Sequence, residues 1–270
     1  MNTPRLITSL TNDRVKFIRS LEMRKVRKET GLFVAEGVSI LVTACEQGFD
    51  PETLVLQAGS ATSGIAKGLL DRALAAQAEC LEVSPQVLEK LSAKDNPQTM
   101  MGVFRQRWAE LPSPSCLKPA DVWLALEEIR DPGNLGTIVR TVDAFGANGV
   151  ILIGNCADPF SRECVRATMG SIFAVPVVRT TRDAFFEWRA GFLGDVVGTH
   201  LDAREDVRAC KPLGPTLVLM GSEGPGLSDE LARACTRRVK IPMAGKLDSL
   251  NLAVATAITL FEMRRDQLRL

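Results

Sequence analysis

Apolar residues along this chain fall into two patterns. In the second half, short unbroken runs such as Val122–Leu126, Gly149–Ile153 and Thr216–Met220 have the length and composition of strands buried on both faces. Ala174–Val178 and Asp195–Thr199 are further strand candidates. Thr137–Phe145 and Arg182–Arg189 read as helices between them, and Leu250–Leu268 as a closing helix. That last helix carries Ala253, Ala255 and Ala257, and small side chains let another element or a second subunit come close. Strands that alternate with helices imply a mostly parallel sheet.

The first half is less regular but has the same class of pattern. Phe33-Val34, Thr53–Gln57 and Gly102–Arg105 are strand candidates, and Ser39–Gln47 and Ala66–Gln77 are helices, with a helical turn at Pro85–Lys90. Between the halves, Pro112, Pro114 and Pro119 with Ser113 and Ser115 fix extended backbone and block helix, which marks a linker. The expected organisation is a smaller α/β domain over 1–111, a linker over 112–120 and a larger α/β domain over 121–270.

Three apolar runs of the larger domain lead into loops rich in Gly, Asn and Ser. These are Asp131–Gly136, Gly221–Gly226 and Ala244–Asn251, the last following Val239–Ile241. Ligands of open α/β sheets bind beyond the carboxyl ends of the strands, so these loops are expected to converge on a site.

Composition narrows the setting. Apolar residues make up 46% and charged residues 24%, as in ordinary globular proteins. No apolar run is long enough to span a bilayer, and the N-terminus lacks the design of a signal peptide. Seven cysteines without CxxC or Cys/His spacing suit reduced, packed thiols in the cytoplasm and point to no metal. The net charge of +1 conceals a basic segment. Between Arg14 and Lys28 lie seven Lys or Arg residues against the single acid Glu22, with Val15, Ile18 and Leu21 at roughly helical spacing. The segment reads as one amphipathic helix whose outer residues, Lys16, Arg19, Arg24 and Lys28 among them, form either a solvated face or a patch for nucleic-acid phosphates.

Each loop alone has a structural explanation. Asp131-Pro132-Gly133-Asn134 is a turn that caps a helix, though Gly133 and Gly136 also admit a ligand and Asn134 offers both donor and acceptor. Gly221–Gly226 lacks the Lys-Ser/Thr end of a phosphate loop and the spacing of a dinucleotide fingerprint, which argues against a nucleotide-dependent oxidoreductase. Glu223 in its middle suits a neutral or cationic ligand, or a clamp on a neighbouring loop. Ser249 is placed to cap the last helix, with Asn251 in its first turn. His200 belongs to none of these motifs and reads as structural.

In this order and at these separations the motifs DPGNLGTIVRTVDAFG, VLMGSEGPGLS and IPMAGKLDSLNLAVATAI, with VRATMGSIFAVPV at 165–177, resemble the SpoU (TrmH-like) RNA ribose 2′-O-methyltransferases of the SPOUT superfamily. The resemblance spans about Val122 to Arg265. More loosely, the first domain resembles the substrate-binding domain fused to such enzymes, which is related to ribosomal proteins that bind bent RNA. The resemblance implies a C-terminal trefoil knot, S-adenosylmethionine as cofactor, a homodimer formed near the last helix, and RNA, ribosomal before transfer RNA, as substrate. Catalytic roles pass to Asn134, Arg140, Glu223, Ser249 and Asn251. Cofactor contacts pass to Met220, Gly221, Ile241, Met243 and Leu250, and an RNA contact to Arg166. A methyltransferase acting on a base and a catalytically inactive RNA-binding module are the competing expectations. Arg140 is expected to stabilise charge and grip phosphate, because a guanidinium does not readily lose its proton.

Overall fold

The computed structural model describes residues 3–92, 98–247 and 249–269; Asp248 of the third loop lies outside them. The chain runs β1 (Arg5–Ile7), α1 (Asp13–Ser20), α2 (Arg24–Thr30), β2 (Leu32–Glu36), α3 (Val38–Glu46), β3 (Thr53–Gln57), α4 (Gly64–Ala75), β4 (Glu79–Val83), α5 (Pro85–Leu91) and β5 (Met100–Arg105). It continues through β6 (Val122–Glu127), α6 (Pro132–Ala144), β7 (Gly149–Ile153), α7 (Arg162–Thr168), β8 (Val177–Thr180), α8 (Arg182–Ala190) and β9 (Asp195–Thr199). It ends with β10 (Glu205–Asp206), β11 (Thr216–Met220), α9 (Asp229–Ala234), β12 (Arg237–Lys240) and α10 (Leu252–Arg264).

Contacts divide the chain into two units. The first comprises the residues up to Arg107 together with 158–174. Its sheet has the order β1-β4-β3-β5-β2, with β1, β4 and β3 parallel and β5 antiparallel to both its neighbours. The segment 158–174 follows β7 in sequence but packs here through aromatic contacts. The Phe160 ring lies 4.9 Å from Phe33, and Phe173 lies 4.9 Å from Phe104. By sequence, the VRATMGS motif groups this segment with the larger domain.

The basic segment forms two helices where one was expected. α1 stops after Ser20, α2 starts at Arg24, and Val15, Ile18 and Leu21 stay buried. Arg27 turns inward and satisfies the carbonyls this break leaves free, donating to Leu21 and Glu22 at 2.8 and 2.7 Å. Its Nε and Nη2 meet Asp158 Oδ2 at 2.9 and 2.6 Å, and the side chain is only 5% exposed. Arg14 is occupied as well, by Glu79 and Thr53. Lys16, Arg19, Arg24 and Lys28 remain on the surface.

The second unit comprises Trp108–Ala157 and Val175 onward. Its seven strands run in the order β10-β12-β9-β11-β6-β7-β8, and every pair is parallel. β6, β7 and β11 are buried along their whole length, as their unbroken apolar runs require. The proline-rich segment 112–120 lies against this unit, where Trp188 Nε1 donates to the Pro112 carbonyl at 2.6 Å.

In the second unit two helix starts differ from the sequence expectation. α6 begins at Pro132 instead of Thr137, so Gly133–Gly136 are helical. The Asp131 side chain caps it, accepting from the Asn134 amide at 2.6 Å, and the fixed φ of proline suits the first helical position. α10 is capped by Asn251, not Ser249; its Oδ1 accepts from the amides of Ala253 and Val254 at 2.9 and 3.3 Å. α10 packs against α6 and β11, and Arg264 donates to the carbonyls of Phe145 and Ala120. Val254 and Phe261 of α10 are partly exposed, Phe261 with its ring edge against Phe145. Among the described residues no helix is long and apolar enough to cross a membrane.

Candidate active site

The carboxyl ends of β6, β9, β11 and β12 share one side of the second unit's sheet, and the three expected loops meet there. A polar chain joins them. Asn134 Nδ2 donates to Glu223 Oε1 at 2.5 Å, and Asn251 Nδ2 donates to Asn134 Oδ1 at 3.0 Å. Because Asn251 Oδ1 is committed to the α10 amides, its Nδ2 must face Asn134. Asn134 must then present its amide nitrogen to Glu223. The orientation of both side chains is thus dictated by the helix cap.

Glu223 stands at the start of a tight hairpin. Ser222 and Gly226 exchange two backbone hydrogen bonds of 3.1 Å, and Gly224 and Gly226 have φ of +100° and +76°. A Cβ on Gly221 would lie 1.9 Å from the Gly226 carbonyl carbon and 2.0 Å from the Leu227 nitrogen. Only glycine lets the hairpin fold back onto the end of β11. Glu223 therefore acts as the clamp on a neighbouring loop that its position among glycines suggested.

Beside this chain lies a cavity of about 670 Å³. Met220, Gly221, Ile241, Met243 and Leu250 line it, as do Glu223, Ser249 and Asn251. Its size is that of a pocket for a cofactor-sized ligand. Its walls combine thioether and aliphatic side chains with exposed loop backbone, and its one motif carboxylate suits a ligand with cationic groups. That donor set fits S-adenosylmethionine, which carries a sulfonium, an ammonium, a carboxylate and an apolar purine face.

Two arginines of the predicted site lie elsewhere. Arg140 is the ninth residue of α6, exposed, without a side-chain hydrogen bond among the described residues, and outside the cavity lining. Six residues of helix put it about 9 Å along the axis from Asn134 and on a different face. Arg166 belongs to the first unit. It is exposed near the end of α7 and lines a separate cavity of about 450 Å³ with Glu22, Glu36, Arg162 and Glu163.

Sequence reasoning missed His200, which lines the large cavity. Its Nδ1 accepts from the Asp202 amide at 3.2 Å, which orients the ring. The signal was available, since His200 directly follows the carboxyl end of β9. Three of the cysteines are poor nucleophiles: burial pushes the thiols of Cys156, Cys210 and Cys235 up to about 11.

An all-parallel sheet with three interlocked loops around a cofactor-sized cavity defines the second unit as a ligand-binding α/β enzyme domain, joined to a separate α/β unit. The chain belongs to the SpoU rRNA methylase family, whose model matches residues 121–261. Residues 12–102 match the MRM3-like substrate binding domain. The structure is similar to that of an AdoMet-bound rRNA methyltransferase from Sinorhizobium meliloti, at 42% identity and a TM-score of 0.89 over 98% of this chain and 99% of that one. A 23S rRNA (uridine(2479)-2′-O)-methyltransferase of Streptomyces viridochromogenes is 31% identical over 91% of this chain and 86% of its own length. The 23S rRNA (guanosine(2553)-2′-O)-methyltransferase RlmP of Bacillus subtilis is 28% identical over 96% of this chain and 98% of its own.

Proposed function

We propose that this protein transfers a methyl group from S-adenosylmethionine to a ribose 2′-hydroxyl of ribosomal RNA. The observation that carries the proposal is the hydrogen-bonded chain Glu223–Asn134–Asn251 beside a cavity of cofactor size. The match of the first unit to a substrate-binding domain supports a polynucleotide acceptor over a small one.

The cofactor, when bound, supplies a methyl group on a sulfonium, and transfer is an in-line displacement whose rate depends on alignment. Met220, Gly221, Ile241, Met243 and Leu250 are assigned to hold it. Asn134 and Asn251 each keep a second amide hydrogen for the ribose or the cofactor. Their orientations are set before any ligand arrives, and such alignment is worth several kcal/mol, on the order of a thousandfold or more in rate. Glu223 holds Asn134, and Ser249 offers a hydroxyl at the cavity wall. Arg140 is assigned to the RNA backbone flanking the acceptor, because its place on α6 is too far along to share a contact with Asn134. The hydroxyl proton leaves to water or to the adjacent phosphate.

Lys16, Arg19, Arg24 and Lys28, with Arg166, are assigned to RNA backbone contacts. The exposed apolar residues Val254 and Phe261 of α10 fit an isologous contact with a second copy of the chain. Free thiols and an RNA substrate suit the cytoplasm.

The test is methyl transfer from radiolabelled S-adenosylmethionine to ribosomal and transfer RNA isolated from cells lacking the protein. Label should appear in ribosomal RNA, in alkali-resistant dinucleotides, because a 2′-O-methyl blocks cleavage of the next phosphodiester. Label released with a free base would make the enzyme a base methyltransferase, and label confined to transfer RNA would reassign the substrate.

A further inference from the structure

The hairpin from Ser222 to Gly226 forms part of the cavity wall, and its pose rests on residues that do not touch the cavity. One end continues from β11. Its start is tied to Asn134 through Glu223. The other end is held at Ser228, and the group that holds it is Glu127, the last residue of β6, only 4% exposed. Glu127 Oε2 accepts from the Ser228 amide at 2.8 Å. Glu127 Oε1 accepts from Arg182 Nη2 at 2.5 Å, and Arg182 Nη1 reaches Ser228 Oγ at 3.3 Å and Glu230 at 2.9 Å. One carboxylate and one guanidinium thus grip the backbone and the hydroxyl of the same residue.

With Glu127 buried and Arg182 about a third exposed, this ion pair is a poor source of stability. What this pair adds is direction. The planar guanidinium and the carboxylate leave Ser228 one position in which all their bonds are made. A shift at Ser228 is not absorbed locally, because Gly226 and Leu227 are stacked against Gly221 too closely for even a methyl group to intervene. Any displacement there passes into the hairpin.

We propose that Glu127 and Arg182 are positioning residues for the cofactor: they set the pose of the loop from Gly221 to Leu227, and through it the affinity for S-adenosylmethionine, without contacting cofactor or RNA. The proposal rests on the large cavity being the cofactor site. No sequence motif points to either residue, because they lie in different elements, 55 residues apart, and are brought together only by the fold.

The test uses the full-length protein with Glu127→Gln and Arg182→Met, and with Arg182→Lys as a conservative variant in case the others fail to fold. Glu127→Gln keeps shape and an acceptor but loses the charge that Arg182 grips. S-adenosylmethionine affinity, measured by calorimetry, should fall about tenfold or more, the scale of losing a hydrogen bond to a charged group. The rate at saturating cofactor and RNA should fall by less than the affinity does, because Glu223 keeps its own bond to Asn134 while the far end of the loop loses its anchor. Amide hydrogen exchange should accelerate at 222–228 and not across the rest of the sheet. Arg182→Lys should fall between wild type and Arg182→Met.

Ala255→Trp serves as the separate check on the cavity, since Ala255 lines it and an indole would fill it. If Ala255→Trp abolishes binding while the Glu127 and Arg182 variants bind as wild type, the positioning role is wrong and the cavity assignment stands. If Ala255→Trp binds normally, the cavity assignment itself fails and takes the proposal with it. Loss of exchange protection throughout the second unit, with parallel losses in the saturated rate, would make the pair merely structural and would also overturn the proposal.

Discussion

Replacing Asn134 by Asp tests whether the polar chain orients the site. The substitution is nearly isosteric, but it turns the donor facing Glu223 into an acceptor. The amide proton that now bridges Asn134 and Glu223 at 2.5 Å disappears, and two carboxylates face each other. Asn251 can still donate to the new Asp, so that contact survives. Losing one hydrogen bond to a charged group costs about 1.5–3 kcal/mol. Repulsion between charges about 4 Å apart adds about 1 kcal/mol in water-like dielectric, the appropriate limit because Glu223 is exposed. The sum predicts a loss of about 10²-fold in single-turnover methyl transfer at neutral pH. The variant should also acquire a pH dependence of definite sign. Two adjacent carboxylates raise one another's proton affinity, and a shared proton restores the missing bridge. Activity relative to wild type should therefore recover as pH falls through that raised value and be lost again above it. Adding Glu223→Gln should rescue Asn134→Asp at all pH values, since the Gln amide can donate where Asn134 did. A rate unaffected by Asn134→Asp, or a loss that neither acid nor Glu223→Gln relieves, would show that Asn134 acts by itself and not through this chain.

Two further outcomes concern the first unit. Asp158→Ala leaves the buried Arg27 guanidinium without its partner, which should cost about 3–5 kcal/mol and lower the first unfolding midpoint in urea; a change below about 1 kcal/mol would mean that Arg27 finds another acceptor. Reversing Lys16, Arg19, Arg24 and Lys28 to Glu should weaken RNA binding and flatten its salt dependence while S-adenosylmethionine affinity holds; unchanged RNA affinity would make α1 and α2 a solvated face.

Periodicity and turn chemistry were enough for the parallel sheet of the second unit. β7, β9 and β11 lie where the apolar runs put them, and β6 extends its run by one residue, because a strand buried on both faces cannot disguise its composition. The motif loops were legible for a related reason, since Gly221 faces backbone that excludes any Cβ. The short edge strand β1 and the half-polar β4 carried no such pattern and were not expected.

Choices between locally equivalent residues were not legible. Ser249 and Asn251 are both good helix caps, and Asn251 takes the role while reaching Asn134 from a distant part of the chain. Arg27 is one of seven similar cations in its segment, yet it alone is buried, because Asp158 waits 131 residues away. The segment 158–174 carries a motif that groups it by sequence with the second half, while Phe160 and Phe173 pack among Phe33 and Phe104. His200, Glu127 and Arg182 owe their places to strand order and to a loop anchored far along the chain. Propensity and periodicity act over a few residues, and so the sequence by itself determined the elements and the chemistry its motifs offer. Which of several equal side chains turns inward, and which meets which, is decided by contacts that exist only once the sheets are assembled.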